Sequence, residues 1–278
     1  MGHTGTRAFL IAACCVLCLS GADDPAEIVR RALRINAHNE EVAQNYTYLQ
    51  RLDVRALDGG GKVRHTDVKT WDVTRLEGSP YRRLIQKDDK PLPAKEEQEE
   101  QAKLRKSIES RRAETPEQRQ QRLNGDAQKR KRQEEELKEI PDAFDLRLVG
   151  EETIDGEPVW VIEGTPRRGY KSKSKAAGYF LKMHGKIWVA KTDYQPVKIE
   201  AETQDNIWIG AFLVRLGKGA HVSVEYARVN NEVWLPKRVH FAGSARVLLV
   251  KGMNIATDIA FSDYKKFSTE SHVVGPAN

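Results

Sequence analysis

Apolar and polar residues alternate most cleanly between Ala220 and Phe241, in AHVSVEYARVNNEVWLPKRVHF. The alternation predicts two strands. Asn230-Asn231 between them tolerates the left-handed backbone angles of a two-residue hairpin turn. With that turn Val222 faces Val239, Val224 faces Lys237, and Tyr226 faces Leu235. One face then carries Val222, Val224, Tyr226, Val233, Leu235, Val239 and Phe241, and the other His221, Ser223, Glu225, Arg238 and His240. The pattern is that of a sheet with one apolar and one wet side. The apolar side covers either a packed core or a lipid.

The remaining pattern supplies more strands and three helices. Asp23 to Tyr46 reads as a helix capped by Asp23 or Asp24, with Pro25 in its first turn and a stripe of Ile28, Ala32, Ile35, Val42 and Tyr46. Tyr46 to Gln86 reads as a three-stranded meander with turns at Asp58-Gly61 and Glu77-Pro80. Between Lys95 and Glu139 stand 13 Lys/Arg and 12 Asp/Glu with few large apolar residues, too few to build a core. This predicts two charged helices joined near Thr115, where Thr115-Pro116-Glu117-Gln118 is a helix-start signal. They form either a solvated hairpin or a lid or docking arm. Strands resume in a hairpin around Asp155-Gly156, then over Tyr179–Ala190, Pro196–Gln204, Ile207–Leu216, Ala245–Val250 and Ile255–Tyr264. The expected fold is mainly β with helices: a curved antiparallel sheet or half-open β-barrel with an N-terminal helix and an inserted charged helical hairpin. The expected division is 1–22, 23–92, 93–140, 141–270 and a tail at 271–278.

Composition adds the compartment. In the first 22 residues Arg7 is the one charged side chain, Ala8 to Leu19 is apolar, and Ser20-Gly21-Ala22 is small. That is the pattern of a secretory signal cleaved before Asp23. A retained anchor, or lipidation at Cys14 within Ile11-Ala12-Ala13-Cys14, are the alternatives. Cys14, Cys15 and Cys18 are the three cysteines, so the mature chain holds no disulfide. Removing 22 of 278 residues leaves 256 and lowers the formal charge from +6 to +5, since Arg7 leaves. An exported basic protein points away from nucleic acid and toward anionic membrane surfaces. The loop from Arg167 to Lys175 holds Arg167, Arg168, Lys171, Lys173 and Lys175 without an acid, as a headgroup contact or a solvated loop.

Catalytic chemistry is missing. No nucleophile elbow, phosphate-cradling glycine loop or HExxH occurs. His221 and His240 would be cross-strand neighbours, but a zinc site wants a third protein ligand. No catalytic residue, metal or cofactor is expected, and the protein is not read as an enzyme.

Gly185-Lys186-Ile187-Trp188-Val189 followed by Asp193-Tyr194-Gln195-Pro196-Val197-Lys198-Ile199 resembles a hairpin of the exported LolA-type lipoprotein-sorting proteins and the RseB-like envelope-stress sensors. The order of parts from Asp23 to Tyr264 is also similar. The resemblance implies a half-open antiparallel barrel with helices over its mouth, whose apolar concave face holds acyl chains. The charged stretch 93–140 departs from that pattern. The resulting expectation is a periplasmic carrier in a Gram-negative envelope that binds lipid or lipoprotein acyl chains through Val222, Val224, Tyr226, Leu235, Val239, Phe241 and Trp188. The alternative is an envelope sensor that docks a protein partner through 93–140 and has no ligand cavity.

Overall fold

Thirteen strands form among the residues that the computed structural model describes, 24–209, 214–247 and 252–267. They are β1 (Tyr46–Leu57), β2 (Val63–Leu76), β3 (Ser79–Lys87), β4 (Lys90–Pro91), β5 (Phe144–Ile154), β6 (Glu157–Pro166), β7 (Met183–Ala190), β8 (Pro196–Thr203), β9 (Ile207–Ile209), β10 (Val214–Leu216), β11 (His221–Val229), β12 (Val233–Val247) and β13 (Met253–Lys266). Their order in space is β4-β3-β2-β1-β13-β12-β11-β8-β7-β6-β5, all antiparallel, with the β9–β10 hairpin attached to the end of β12. The first strand thus pairs with the last. The sheet curves without closing, as the alternation predicts.

Helix α1 (Pro25–Ala43) starts where Asp24 accepts a hydrogen bond from the Ala26 N–H at 3.0 Å. Its Ile28, Val29 and Ala32 are buried against Trp160, Ile162 and Val189. Further along, the buried Asn39 side chain donates to the Trp234 carbonyl and accepts from the Trp234 N–H, both at 2.8 Å. One amide therefore closes both backbone groups of a residue that β13 does not reach, since that pairing begins at Arg238. Asn39→Leu leaves both groups buried without a partner. It is expected to cost about 2–6 kcal/mol at 1–3 per unmet group, read by urea unfolding. A loss within experimental error would show that water replaces the amide.

The charged segment forms α2 (Ala94–Arg112) and α3 (Pro116–Leu137), neither with a buried residue. Thr115 makes the full capping box with Gln118. Thr115→Ala removes one of its two bonds and is expected to cost about 1 kcal/mol, seen as faster amide exchange in the first turn of α3. Unchanged exchange there would contradict it. Helix α2 is tied to β3 and to the end of β2: Arg83 meets Glu97 at 3.0 Å, the Leu84 N–H donates to Glu100 at 3.3 Å, and Arg111 donates to the Leu76 carbonyl at 2.6 Å. It covers an edge that would otherwise offer free backbone groups to another strand. A short helix, α4 (Ile140–Ala143), returns the chain to β5.

Two expectations are corrected. Tyr179 and Phe180 belong to helix α5 (Lys175–Phe180), not to a strand; the Lys182 N–H bonds back to the Tyr179 carbonyl at 3.1 Å, and β7 begins at Met183. In the central hairpin, Asn230 and Asn231 do take left-handed angles, with φ of 51° and 56°, and the Glu232 N–H closes on the Val229 carbonyl at 3.1 Å. The ladder, however, resumes one residue late, with Val229 opposite Val233. A second irregularity between Glu225 and Tyr226 leaves Lys237 as an extra residue. Each single slip exchanges the faces of the strand, and two restore them. Val222 therefore pairs with Phe241 and Val224 with Val239, while Leu235 pairs with Ala227 instead of Tyr226.

The segment predicted as a signal peptide, with Cys14, and the tail from residue 271 lie outside the described residues. No helix among the described residues is long and apolar enough to cross a membrane.

Candidate functional site

Directly paired residues of neighbouring strands share a face. From β5 to β1 the pairings run Leu148–Ile162–Ile187–Ile199–Val224–Val239–Ile259–Leu52. Eight strands thus contribute one unbroken row of aliphatic side chains. The next row on the same face is Leu146–Gly164–Gly185–Ala201–Val222–Phe241–Thr257–Val54. Gly185 is needed where it stands: a Cβ there would lie 2.2 Å from the Glu200 carbonyl oxygen.

Helix α1 covers one end of this strip. Leu146, Leu148 and Ile187 pack against the cluster of Ile28, Val29, Ala32, Trp160, Ile162 and Val189. The other end is not closed over. Ile199, Val222, Val224, Val239, Phe241, Ile259, Leu52 and Val54 are all half-buried. Leu146, Leu148 and Ile187 beneath α1 are buried to the same partial degree, so what sets this end apart is that no helix packs over β8, β11, β13 and β1 among the described residues. The partial exposure of the uncovered residues marks an apolar surface that water still reaches.

The structure divides the lipid-facing candidates. Val222, Val224, Val239 and Phe241 lie together on the strip. Leu235, at 3% exposure, packs instead with Tyr46 and Val233 against Val42 and Ala43 of α1. Its expected place beside Tyr226 is corrected by the bulge. Trp188 is likewise corrected. It lies on the opposite face from Ile187, buried with Val159, Val161, Ala190, Val197 and Trp234, and its Nε1 donates to Glu152 at 3.0 Å. Tyr226 packs against that same cluster.

Beyond that apolar cluster, around β12, β13 and β1, the far side of the sheet is polar. His240 Nδ1 lies 3.0 Å from Asp258, which also meets Arg55, and Arg238 at 3.7 Å. These contacts use the histidine in an ion-pair network. Among the described residues no group of three or more His, Cys, Asp or Glu could hold a metal. In the basic loop Arg167 pairs with Asp145 at 3.0 Å, whereas Arg168, Lys171 and Lys173 are exposed. The side chain of Lys175 lies outside the described residues. Glu139, buried at the end of the helical insertion, accepts from the Tyr170 hydroxyl at 3.3 Å and the Lys173 N–H at 3.1 Å.

Sequence reasoning missed the helical side of the site. A cleft of about 780 Å³ separates α1 from α3, lined among others by Leu33, Ala37, Glu40, Arg130, Leu137 and Phe180. Surrounding protein desolvates the Glu40 carboxyl and raises its pKa, an effect that Arg130 only partly opposes. The Tyr226 hydroxyl is pushed up to about 12 by burial and by Glu40. A carboxyl whose pKa is raised on folding opposes the fold once ionised and is neutral to it when both states are protonated. Glu40 is still reached by solvent, so Glu40→Gln is expected to raise the melting temperature at pH 7 by no more than a small amount, with the gain fading below the ordinary carboxyl value of 4.5. A gain that persists unchanged in acid would contradict it.

No protein-family model matches the chain, and no curated protein matches it in sequence. Solved structures do match. A domain described as an outer membrane lipoprotein-sorting protein from Vibrio parahaemolyticus is 13% identical, with 88% of this chain and 95% of that one covered and a TM-score of 0.35. A LolA-superfamily protein from Nitrosomonas europaea is 13% identical over 87% and 95%, with a TM-score of 0.29. The MucA/MucB complex of Pseudomonas aeruginosa is 11% identical over 88% and 100%, with a TM-score of 0.25. Both groups that the β7–β8 hairpin resembles are represented.

Proposed function

We propose that this is an exported envelope protein that binds lipid or lipoprotein acyl chains on the aliphatic strip of its curved sheet. One observation carries the reading: the strip is continuous across eight strands, yet its central and β1-side residues stay half-exposed. Each methylene laid on such a surface contributes about 0.8 kcal/mol, so a long chain binds without any specific polar contact. The LolA-type hairpin and the secretory signal pattern support an envelope location. Mass spectrometry of lipid extracted from the purified protein, with uptake of a fluorescent fatty acid by the delipidated chain, tests this. Co-purified acyl lipid and saturable uptake are expected; a lipid-free protein that takes up no probe would overturn it.

A second reading keeps the strip empty and uses α2 and α3 to dock a protein. Its support is that neither helix buries a residue, so a long charged surface faces outward. Reversing exposed charges on α3 at Lys129, Lys131 and Arg132 separates the two readings. The carrier reading expects fatty-acid uptake to survive.

A further inference from the structure

The strip ends in arginines. Alternation along β2 places Trp71, Val73 and Arg75 on the face that carries Leu52, because Leu52 pairs with Lys69 and Gln50 with Trp71. On β3, Arg82 pairs with Val73 and its guanidinium stacks 4.4 Å above the Trp71 ring. Arg75 and Arg82 are then diagonal neighbours, with backbones about 7–8 Å apart. The third arginine comes from α3. Asp126 accepts from the Ser79 hydroxyl at 2.6 Å, which fixes α3 over the β2–β3 turn. Arg130 is one helical turn further on the same side of α3, and it lines the cleft with Glu40.

None of the three has a carboxylate within 4 Å among the described residues, although ion pairs are plentiful elsewhere in the chain. Neighbouring acids are committed. Glu114 holds Arg122 at 2.7 Å, Glu77 holds Arg119 at 3.3 Å, and Asp126 holds Ser79. Burial and the Arg130 charge lower the Arg75 pKa, with Asp126 opposing them from a distance, and Arg130 faces Glu40 across the cleft. Guanidinium groups that no carboxylate holds in direct contact are suited to a planar or tetrahedral oxyanion.

We propose that this end of the strip is an anion site, in which Arg75, Arg82 and Arg130 hold the carboxylate or phosphate head of an acyl amphiphile whose chain runs along β1 and β13. The dimensions agree. From the level of Tyr48 to that of Val54 the strip extends about 20 Å at 3.3 Å per residue. One acyl layer of a bilayer is about 15 Å, half the hydrocarbon thickness. The inference rests on the acyl-binding reading and adds the class of head group.

The test uses the full mature chain and three competitors of a bound fluorescent fatty acid: oleate, oleoyl lysophosphatidate and uncharged oleyl alcohol. The wild type is expected to bind at least one anion about tenfold more tightly than the alcohol, and which anion is favoured tells carboxylate from phosphate. In the double variant Arg82→Gln, Arg130→Gln that preference should collapse while oleyl alcohol binds as before, and Arg82→Lys, Arg130→Lys should restore part of it. Arg75 is left in place because it also holds the Gly78 carbonyl of the β2–β3 turn. Equal binding of anions and alcohol by the wild type overturns the anion site but leaves acyl binding intact. Failure of all three competitors and the probe to bind overturns both. A double variant that keeps the full preference shows that the charge lies elsewhere.

Discussion

Leu235→Asp is expected to unfold the protein at room temperature. Leu235 is 3% exposed and packs with Tyr46 and Val233, against Val42, Ala43, Val229 and Tyr264. That cluster contains no cation to receive a carboxylate. An unpaired buried charge costs several kcal/mol against a total stability of about 5–15 kcal/mol. The cluster also lies where α1 hands over to β1, so its loss detaches the helix from the sheet. Circular dichroism with a thermal melt reads the result. A cooperative transition near that of the wild type would show that the bulge does not turn Leu235 into the core.

Val239→Asp places the same charge four residues along the same strand and is expected to behave differently. Val239 pairs with Val224 on one side and Ile259 on the other, in the half-exposed part of the strip. A carboxylate there keeps water, so the variant should stay folded with a melting point within a few degrees of the wild type, a cost of about 1 kcal/mol. Fatty-acid uptake should fall at least about tenfold, because an acyl chain would have to dehydrate the charge. A folded Val239→Asp protein with undiminished uptake would remove the strip from the binding site.

Much of this architecture was legible from alternation and punctuation. Asp24 and Pro25 announce α1, Thr115 to Gln118 announce α3, and Asp155-Gly156 announces the β5–β6 turn, because caps and turns are decided by neighbouring residues. The register of the central hairpin was not legible from its turn. Asn230-Asn231 specifies the sense of the turn, but not the slips at Val233 and Lys237, of which the first leaves Val233 and Leu235 packed against Val42 and Ala43 of α1. Pro236 was the available sign, since a proline cannot donate in a ladder and favours edges and bulges. That one residue explains why Val222, Val224, Val239 and Phe241 fall on the strip as expected while Leu235 does not. Trp188 misleads for a similar reason. The strand β7 is apolar on both faces, with Ile187 and Val189 toward α1 and Trp188 and Ala190 away from it, so its sequence carries no alternation to read. The arginine end of the strip joins residues 75, 82 and 130, which only the return of α3 over the β2–β3 turn brings together.

The placement of acyl chains on the partly exposed strip is tested most directly by photo-crosslinking the delipidated protein with a diazirine fatty acid, followed by peptide mass spectrometry. Labels are predicted on β1, β11, β12 and β13, at residues such as Leu52, Val224, Val239 and Ile259. Labels confined to the opposite face around His240 and Arg238, to the outer surface of α2, or to no peptide at all would contradict it.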